Sequence, residues 1–186
     1  MSGGEGLSAE ERRTLLLAAR EAIAAHLAGR APVLPRATGG LSEPRGAFVS
    51  LHRRSDGELR GCVGVLRADE PLAVAVSRMA VAAATQDDRF DPVGEAELGS
   101  LAIEISALSR LAPIRPEQIE LGRHGLVVRA GDKRGVLLPR VPVDHGWDRD
   151  LFLAQTCRKA GLAADAWTHA GTQLQGFTAT VFSDAD

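Results

Sequence analysis

The chain contains no tyrosine, and aromatic residues make up 4% of its 186 positions. Proteins that hold single-stranded nucleic acid stack bases on aromatic rings, so a base-stacking platform is excluded. A surplus of one charge is missing too: 22 Lys and Arg face 24 Asp and Glu, for a net charge of -2. General nucleic-acid binding draws its affinity from excess positive charge, so no nucleic-acid partner is expected. The only cysteines, Cys62 and Cys157, lie far apart in sequence. They make neither a zinc-type pair nor a disulfide framework, and no metal site is expected. Long apolar runs are absent; the longest alanine-rich stretch is interrupted by Arg78, short of a membrane span. The segment Met1-Ser2-Gly3-Gly4-Glu5-Gly6 lacks the basic and apolar parts of a secretory signal. The expectation is a cytoplasmic protein with no membrane partner and with reduced thiols. There is also no phosphate loop, dinucleotide glycine fingerprint, His-Glu-x-x-His or Gly-x-Ser-x-Gly motif. The cofactor, if any, is unknown from the motifs.

What the chain does have is 45% hydrophobic residues, enough for a core without disulfides or metals. The reading is a flexible tail over 1–7 and a single domain over 8–186. Ser8 and Glu11 form a capping box for a helix running to about Leu27, ended by Gly29. Residues 30–45, rich in Pro and Gly, form a long irregular connection of the kind that is either functional or flexible. Strands are expected over 47–53 and 59–65, joined at Asp56-Gly57. A helix capped by Asp69 covers 70–85, with a short helical turn over 95–98. Further strands cover 101–108, 126–129, 135–138 and 174–182, and a helix capped by Asp148 covers 149–160. Strands that come as hairpins, rather than alternating with helices, predict an α+β fold of mainly antiparallel sheet with flanking helices.

The densest chemistry is in Leu59-Arg60-Gly61-Cys62-Val63-Gly64. On a regular strand Arg60, Cys62 and Gly64 share one face. A cation beside a thiol favours the thiolate, the nucleophilic form. Gly64 leaves room above the sulfur, and Gly61 lets another backbone come close. The plainer alternative is a bulged strand with an ordinary core cysteine. A two-residue turn at Asp56-Gly57 places Leu51 opposite Cys62 and Val49 opposite Gly64. His52 then faces away from the thiol.

Other residues carry two readings each. His124, between glycines, is either a reachable acid, base or ligand or a surface turn residue. In Asp144-His145-Gly146-Trp147-Asp148, Trp147 packs and Asp148 caps, which leaves Asp144 open to an acid, base or orienting role. Arg89 either grips an anion through its planar fork or ties its own turn by pairing with Asp87 or Asp91. Glu104, within an apolar strand, sits either at a half-exposed edge or facing a site. Cys157 falls on the apolar stripe of its helix.

In order, Gly46-Ala47-Phe48-Val49-Ser50-Leu51, the Arg60-Gly61-Cys62-Val63-Gly64 core, Asp87-Asp88-Arg89-Phe90, Leu101-Ala102-Ile103-Glu104-Ile105-Ser106, Gly122 to Gly125, Gly135-Val136-Leu137-Leu138-Pro139 and Gly146-Trp147-Asp148 resemble the AMMECR-type family. Its prokaryotic members are called protein A of the AmmeMemoRadiSam system. The resemblance covers about residues 10–182. It implies an α+β protein of two unequal subdomains, with the cysteine motif near a cleft between them. It also implies a shared pathway with a Memo-like protein and a radical SAM enzyme, without a defined reaction. Two positions depart from the family pattern: Arg140 stands where Gln is usual, and Asp144 where Glu is usual. Two functional readings follow. One is a cysteine-dependent enzyme with Cys62 as nucleophile, Arg60 favouring its thiolate, His124 or Asp144 as base or orienting group, and Gly61, Gly64, Arg89 and Trp147 shaping the binding site. The other is a non-catalytic accessory protein whose motif shapes a ligand pocket or docks a partner.

Overall fold

Ser8 starts the first helix by accepting from the Glu11 backbone N–H, while the Glu11 carboxylate accepts from the Ser8 N–H. The reciprocal pair satisfies two N–H groups that the first turn leaves open. In this computed structural model, which describes residues 6–67 and 69–185, the helices are α1 (Ala9–Leu27), α2 (Leu72–Thr85), α3 (Arg140–Asp144) and α4 (Arg149–Lys159). The strands are β1 (Ala47–Arg53), β2 (Leu59–Val65), β3 (Leu101–Leu108), β4 (Ala112–Pro113), β5 (His124–Ala130), β6 (Lys133–Leu137) and β7 (Gln173–Ser183). The pairings between β1 and β2, β1 and β3, β4 and β7, β5 and β6, and β5 and β7 are all antiparallel. The fold is α+β. The chain divides into two units, Met1–Leu108 with Thr180–Asp186, and Ser109–Ala179.

In the first unit β1 is the central strand between β2 and β3. Its burial alternates, with Ala47, Val49 and Leu51 fully buried and Phe48, Ser50 and His52 half-buried. That period of two covers one sheet face and leaves the other polar. The covered face meets α2, whose small residues let it lie close: Ala73, Ala75, Ala80, Ala82, Ala83 and Ala84 are all buried. Leu15, Ala19 and Ile23 of α1 and Ile103 and Ile105 of β3 complete this core. The second unit packs α4 on β5 and β6. Phe152 and Leu153 meet Leu126, Trp147 and Trp167 there, and Cys157 lies fully buried beside Val128.

Three expectations need correction. Residues 1–5 of the expected tail lie outside the described residues, but Leu7 is 3% exposed and belongs to the first core. Asp69 does not cap α2; Pro71 holds the N-cap position, and the Leu72 N–H donates to the Glu43 carbonyl at 3.0 Å. The connection over 30–45 therefore supplies the acceptor that a capping side chain would have supplied.

The third correction is register. The β1–β2 turn is a four-residue loop, closed by Arg53 N–H donating to Glu58 O at 2.9 Å and Gly57 N–H donating to Arg53 O at 2.8 Å. The Asp56 carboxylate accepts from the Glu58 N–H. Lengthening the loop by two moves the register by two. A bulge then restores one, because His52 pairs with Leu59 while Leu51 pairs with Gly61, and Arg60 is the extra residue. The net shift of one residue puts Ser50, not Leu51, opposite Cys62, and Phe48 opposite Gly64. A one-residue slip exchanges the two faces, so His52 lies on the same sheet face as Cys62.

Candidate functional site around Cys62

Cys62 is held from three directions. Ser50, opposite it on β1, donates its hydroxyl to Sγ at 3.2 Å. The Cys62 backbone N–H donates to Asp87 Oδ2 at 2.8 Å. Behind it, a Cβ on Gly61 would collide with the Ala83 carbonyl of α2, so only glycine lets strand and helix meet there. The space above Gly64 is filled by the Phe48 ring, rather than left open as the motif had suggested. Cys62 as a residue is half-buried, on the sheet face that α2 does not cover.

Two closed ion pairs flank the thiol. The Arg60 Nε and Nη2 donate to Glu97 Oε1 and Oε2 at 2.6 and 3.1 Å, and Nη1 donates to the Asp91 carbonyl at 2.8 Å. With its side chain 11% exposed, Arg60 is fully committed. Arg89 Nε and Nη2 donate to Asp87 Oδ1 and Oδ2 at 2.9 and 2.7 Å. Asp87 Oδ2 thus bridges the Arg89 guanidinium to the Cys62 backbone. These two Arg89 bonds lead the interactions that hold the Asp87 carboxyl well below the usual carboxylate range, against the opposing effect of burial. Reciprocally, Asp87 raises Arg89, and attraction to a Cys62 thiolate adds to that rise. The guanidinium joined through a carboxylate to the Cys62 backbone is therefore that of Arg89, where the motif had pointed to Arg60. The Phe90 ring serves both arginines, with its centroid 5.4 Å from Arg89 Cζ and 6.0 Å from Arg60 Cζ, within cation–π range.

Ser50 completes a row across the sheet, since it faces Cys62 on one side and Glu104 on the other. The Ser50 hydroxyl is the polar contact that sequence reading missed. Its signal, a serine alternating with buried Val49 and Leu51, points to the site only once the register is known. Glu97 was missed as well, because nothing in sequence ties it to Arg60 37 positions earlier.

The remaining predicted residues belong to the second unit. His124 Nδ1 accepts from the Glu120 backbone N–H at 3.0 Å; in its neutral form the ring then presents Nε2 as a donor. Asp144 pairs with Arg140 across one turn of α3, at 3.1 Å. The two positions that depart from the usual pattern are thus each other's partners. Trp147 stacks on His145, with centroids 4.7 Å apart, and packs on the Phe152 core. Each of these side chains is engaged within its own unit.

The family model for AMMECR1 matches residues 16–182. The chain belongs to the AMMECR1 family. Protein MJ0810 of Methanocaldococcus jannaschii is 38% identical, with 97% of this chain and 93% of that protein covered. Protein MK0488 of Methanopyrus kandleri is 41% identical, with 98% and 93% covered. Among solved structures, the uncharacterised protein PH0010 of Pyrococcus horikoshii superposes with a TM-score of 0.80 at 39% identity, covering 91% of this chain and 89% of its own. These likenesses fix family and fold, and they carry no activity. No helix among the described residues is long and apolar enough to cross a membrane.

Proposed function

We propose that this AMMECR1 protein is a thiol-dependent enzyme with Cys62 as its nucleophile. The observation that carries the reading is the Ser50 hydroxyl directed at Sγ, 3.2 Å away, on a half-exposed cysteine. The hydroxyl fixes where the sulfur sits on the sheet face that α2 leaves uncovered. Arg89, anchored on Asp87 and 55% exposed, supplies a positive charge beside an incoming electrophile. Arg60, closed on Glu97, positions the loop that carries Phe90 and Asp91. Cys157 provides an internal control: it is fully buried, and burial pushes its thiol up. The protein works in the cytoplasm, alongside a Memo-like protein and a radical SAM enzyme; the two free thiols suit a reducing compartment.

The test is alkylation of the folded full chain at neutral pH with iodoacetamide, read by mass spectrometry at both cysteines. Cys62 should react and Cys157 should not, and Ser50→Ala should slow Cys62 at least about threefold by removing the hydroxyl that orients its sulfur. An inert Cys62, or an unchanged rate in Ser50→Ala, removes the nucleophile. The full commitment of Arg60 to Glu97 and Asp91 favours a second reading, in which the motif is a rigid scaffold for docking a partner. Under that reading Cys62→Ser keeps co-purification with the Memo-like and radical SAM proteins and any activity of the joint pathway.

A further inference from the structure

His52 sits two residues along β1 from Ser50, on the same face, and pairs with Ala102 on β3. Its Nδ1 lies 3.1 Å from the Gly57 carbonyl oxygen. A carbonyl only accepts, so Nδ1 carries a proton, and in the neutral ring Nε2 keeps a bare lone pair. That Nε2 is shielded from solvent, and it is the one buried side-chain nitrogen or oxygen among the described residues without a hydrogen-bond partner. A polar atom left so is costly and calls for an explanation.

His52 lines a pocket of about 250 Å³ that Glu104, Arg53, Arg54 and the C-terminal Ser183 and Ala185 share. The charges there are unequal in status. Arg54 is closed on Asp184, and Arg53 on Glu58. The Glu104 side chain makes no hydrogen bond or ion pair among the described residues, and it is a diagonal neighbour of His52 across the β1–β3 ladder. Both unspent groups are acceptors, and one is an anion. A carboxylate brings no donor and a charge that Glu104 repels. A primary ammonium brings three donors and one positive charge, enough for both. The side chain that gives way to admit it is Arg53, 44% exposed and held by surface ion pairs to Glu58 and Asp56, which are weak.

We propose that this pocket is a subsite for a primary ammonium group, with Glu104 as counter-ion and His52 Nε2 as hydrogen-bond acceptor. Glu104 stands opposite Ser50 and His52 two residues along β1 from it, so the pocket adjoins the Cys62–Ser50 pair and holds the amine of the molecule presented to the thiol. The binding of an amine stands on His52 and Glu104 alone; its assignment to the substrate rests on the nucleophile reading of Cys62.

The experiment uses the full chain labelled with ¹⁵N-histidine, titrated with propylammonium chloride and followed by long-range ¹H–¹⁵N correlation. The expected result is a saturable shift of the His52 Nε2 resonance, with affinity weakened at least about tenfold in Glu104→Gln. Sodium propionate at equal ionic strength should give no saturable shift. The proposal is overturned if propylammonium gives no saturable shift, if propionate matches it, or if Glu104→Gln binds equally well. Stoichiometric capture of Zn²⁺ by His52 in preference to the amine also overturns it, in favour of a metal site. Cys62 alkylation on the same samples separates the two ideas. Normal thiol reactivity without amine binding sinks the subsite alone, whereas amine binding with an inert thiol leaves the subsite and removes the nucleophile.

Discussion

Asp87→Asn tests the architecture of the thiol site at a single atom pair. The Asp87 side chain is 5% exposed and accepts four hydrogen bonds. Oδ2 takes the Cys62 N–H at 2.8 Å and Arg89 Nη2 at 2.7 Å, while Oδ1 takes the Arg89 N–H at 3.2 Å and Nε at 2.9 Å. An amide keeps the shape, but one of its two ends can only donate. Either orientation turns that end toward two donors, so two of the four bonds are lost. A hydrogen bond to a charged group contributes about 1.5–3 kcal/mol. Arg89 is 55% exposed, so water recovers part of its share. The expected cost is about 2–3 kcal/mol of unfolding free energy.

The same variant has a pH signature. The Asp87 carboxyl sits well below the usual carboxylate range, chiefly through the Arg89 side chain and further through the N–H groups of Cys62 and Arg89. Between the ordinary value and the depressed native one, the unfolded chain binds the proton and the native chain does not. Stability from this group is therefore complete above about pH 4 and is lost as the pH falls toward the native value. Urea unfolding of wild type and Asp87→Asn, at neutral pH and at a series of acid pH values, reads both effects. The gap between the two proteins should narrow on acidification. A cost below about 0.5 kcal/mol at neutral pH, or a gap constant through the acid range, refutes the bridging role assigned to Asp87.

Gly61→Ala drives a Cβ into the Ala83 carbonyl and should cost about 1–3 kcal/mol by overpacking, read as a drop in urea midpoint; a neutral outcome contradicts the close approach of β2 and α2. Asp184→Ala removes the acceptor for Arg20 at 2.6 Å, Arg54 at 2.9 Å and the Ile103 N–H at 2.8 Å. It should cost about 1–3 kcal/mol and speed proteolysis of the C-terminal residues, and unchanged protection refutes the clamp. Glu11→Ala loses the bonds from the Ser8 N–H and from the Gly40 N–H at 2.7 Å. About 1 kcal/mol of stability should go with them, and a thermal melt that does not move shows that the cap is dispensable.

Secondary structure was legible because local signals and tertiary packing agree. Ser8 and Glu11 cap α1, Asp148 caps α4 by accepting from the Leu151 N–H, and β1, β2 and β3 begin and end where their patterns do. Pairing was not legible to the same degree, since it depended on how many residues the 54–57 loop spends. Asp56-Gly57 is a strong turn signal for two residues, yet the observed loop uses four, with Gly57 at φ 74°. The bulge at Arg60 carries no local signature either, because it is chosen by what the ladder and α2 demand together. Those two choices decide whether leucine or serine faces the thiol.

The same limit applies to charge. Arg60 and Cys62 are two apart, and proximity in sequence suggested a cation for the thiol. The fold instead spends Arg60 on Glu97 and brings Arg89, 27 residues on from Cys62, through a carboxylate that both share. A short motif can pick out the thiol, because the type of residue is local. It cannot name the counter-charge, because partners are chosen by geometry across the sheet and by which carboxylate is buried enough to fix them. Asp87 is buried and therefore rigid, and its oxygen serves both the Cys62 backbone and Arg89. A guanidinium anchored in this way is held beside the Cys62 strand by a buried carboxylate rather than by a mobile surface partner. Arg60, its fork spent on the Glu97 carboxylate and the Asp91 carbonyl, is not joined to Cys62 in this way. It contributes by holding the Phe90 loop against which Arg89 is stacked.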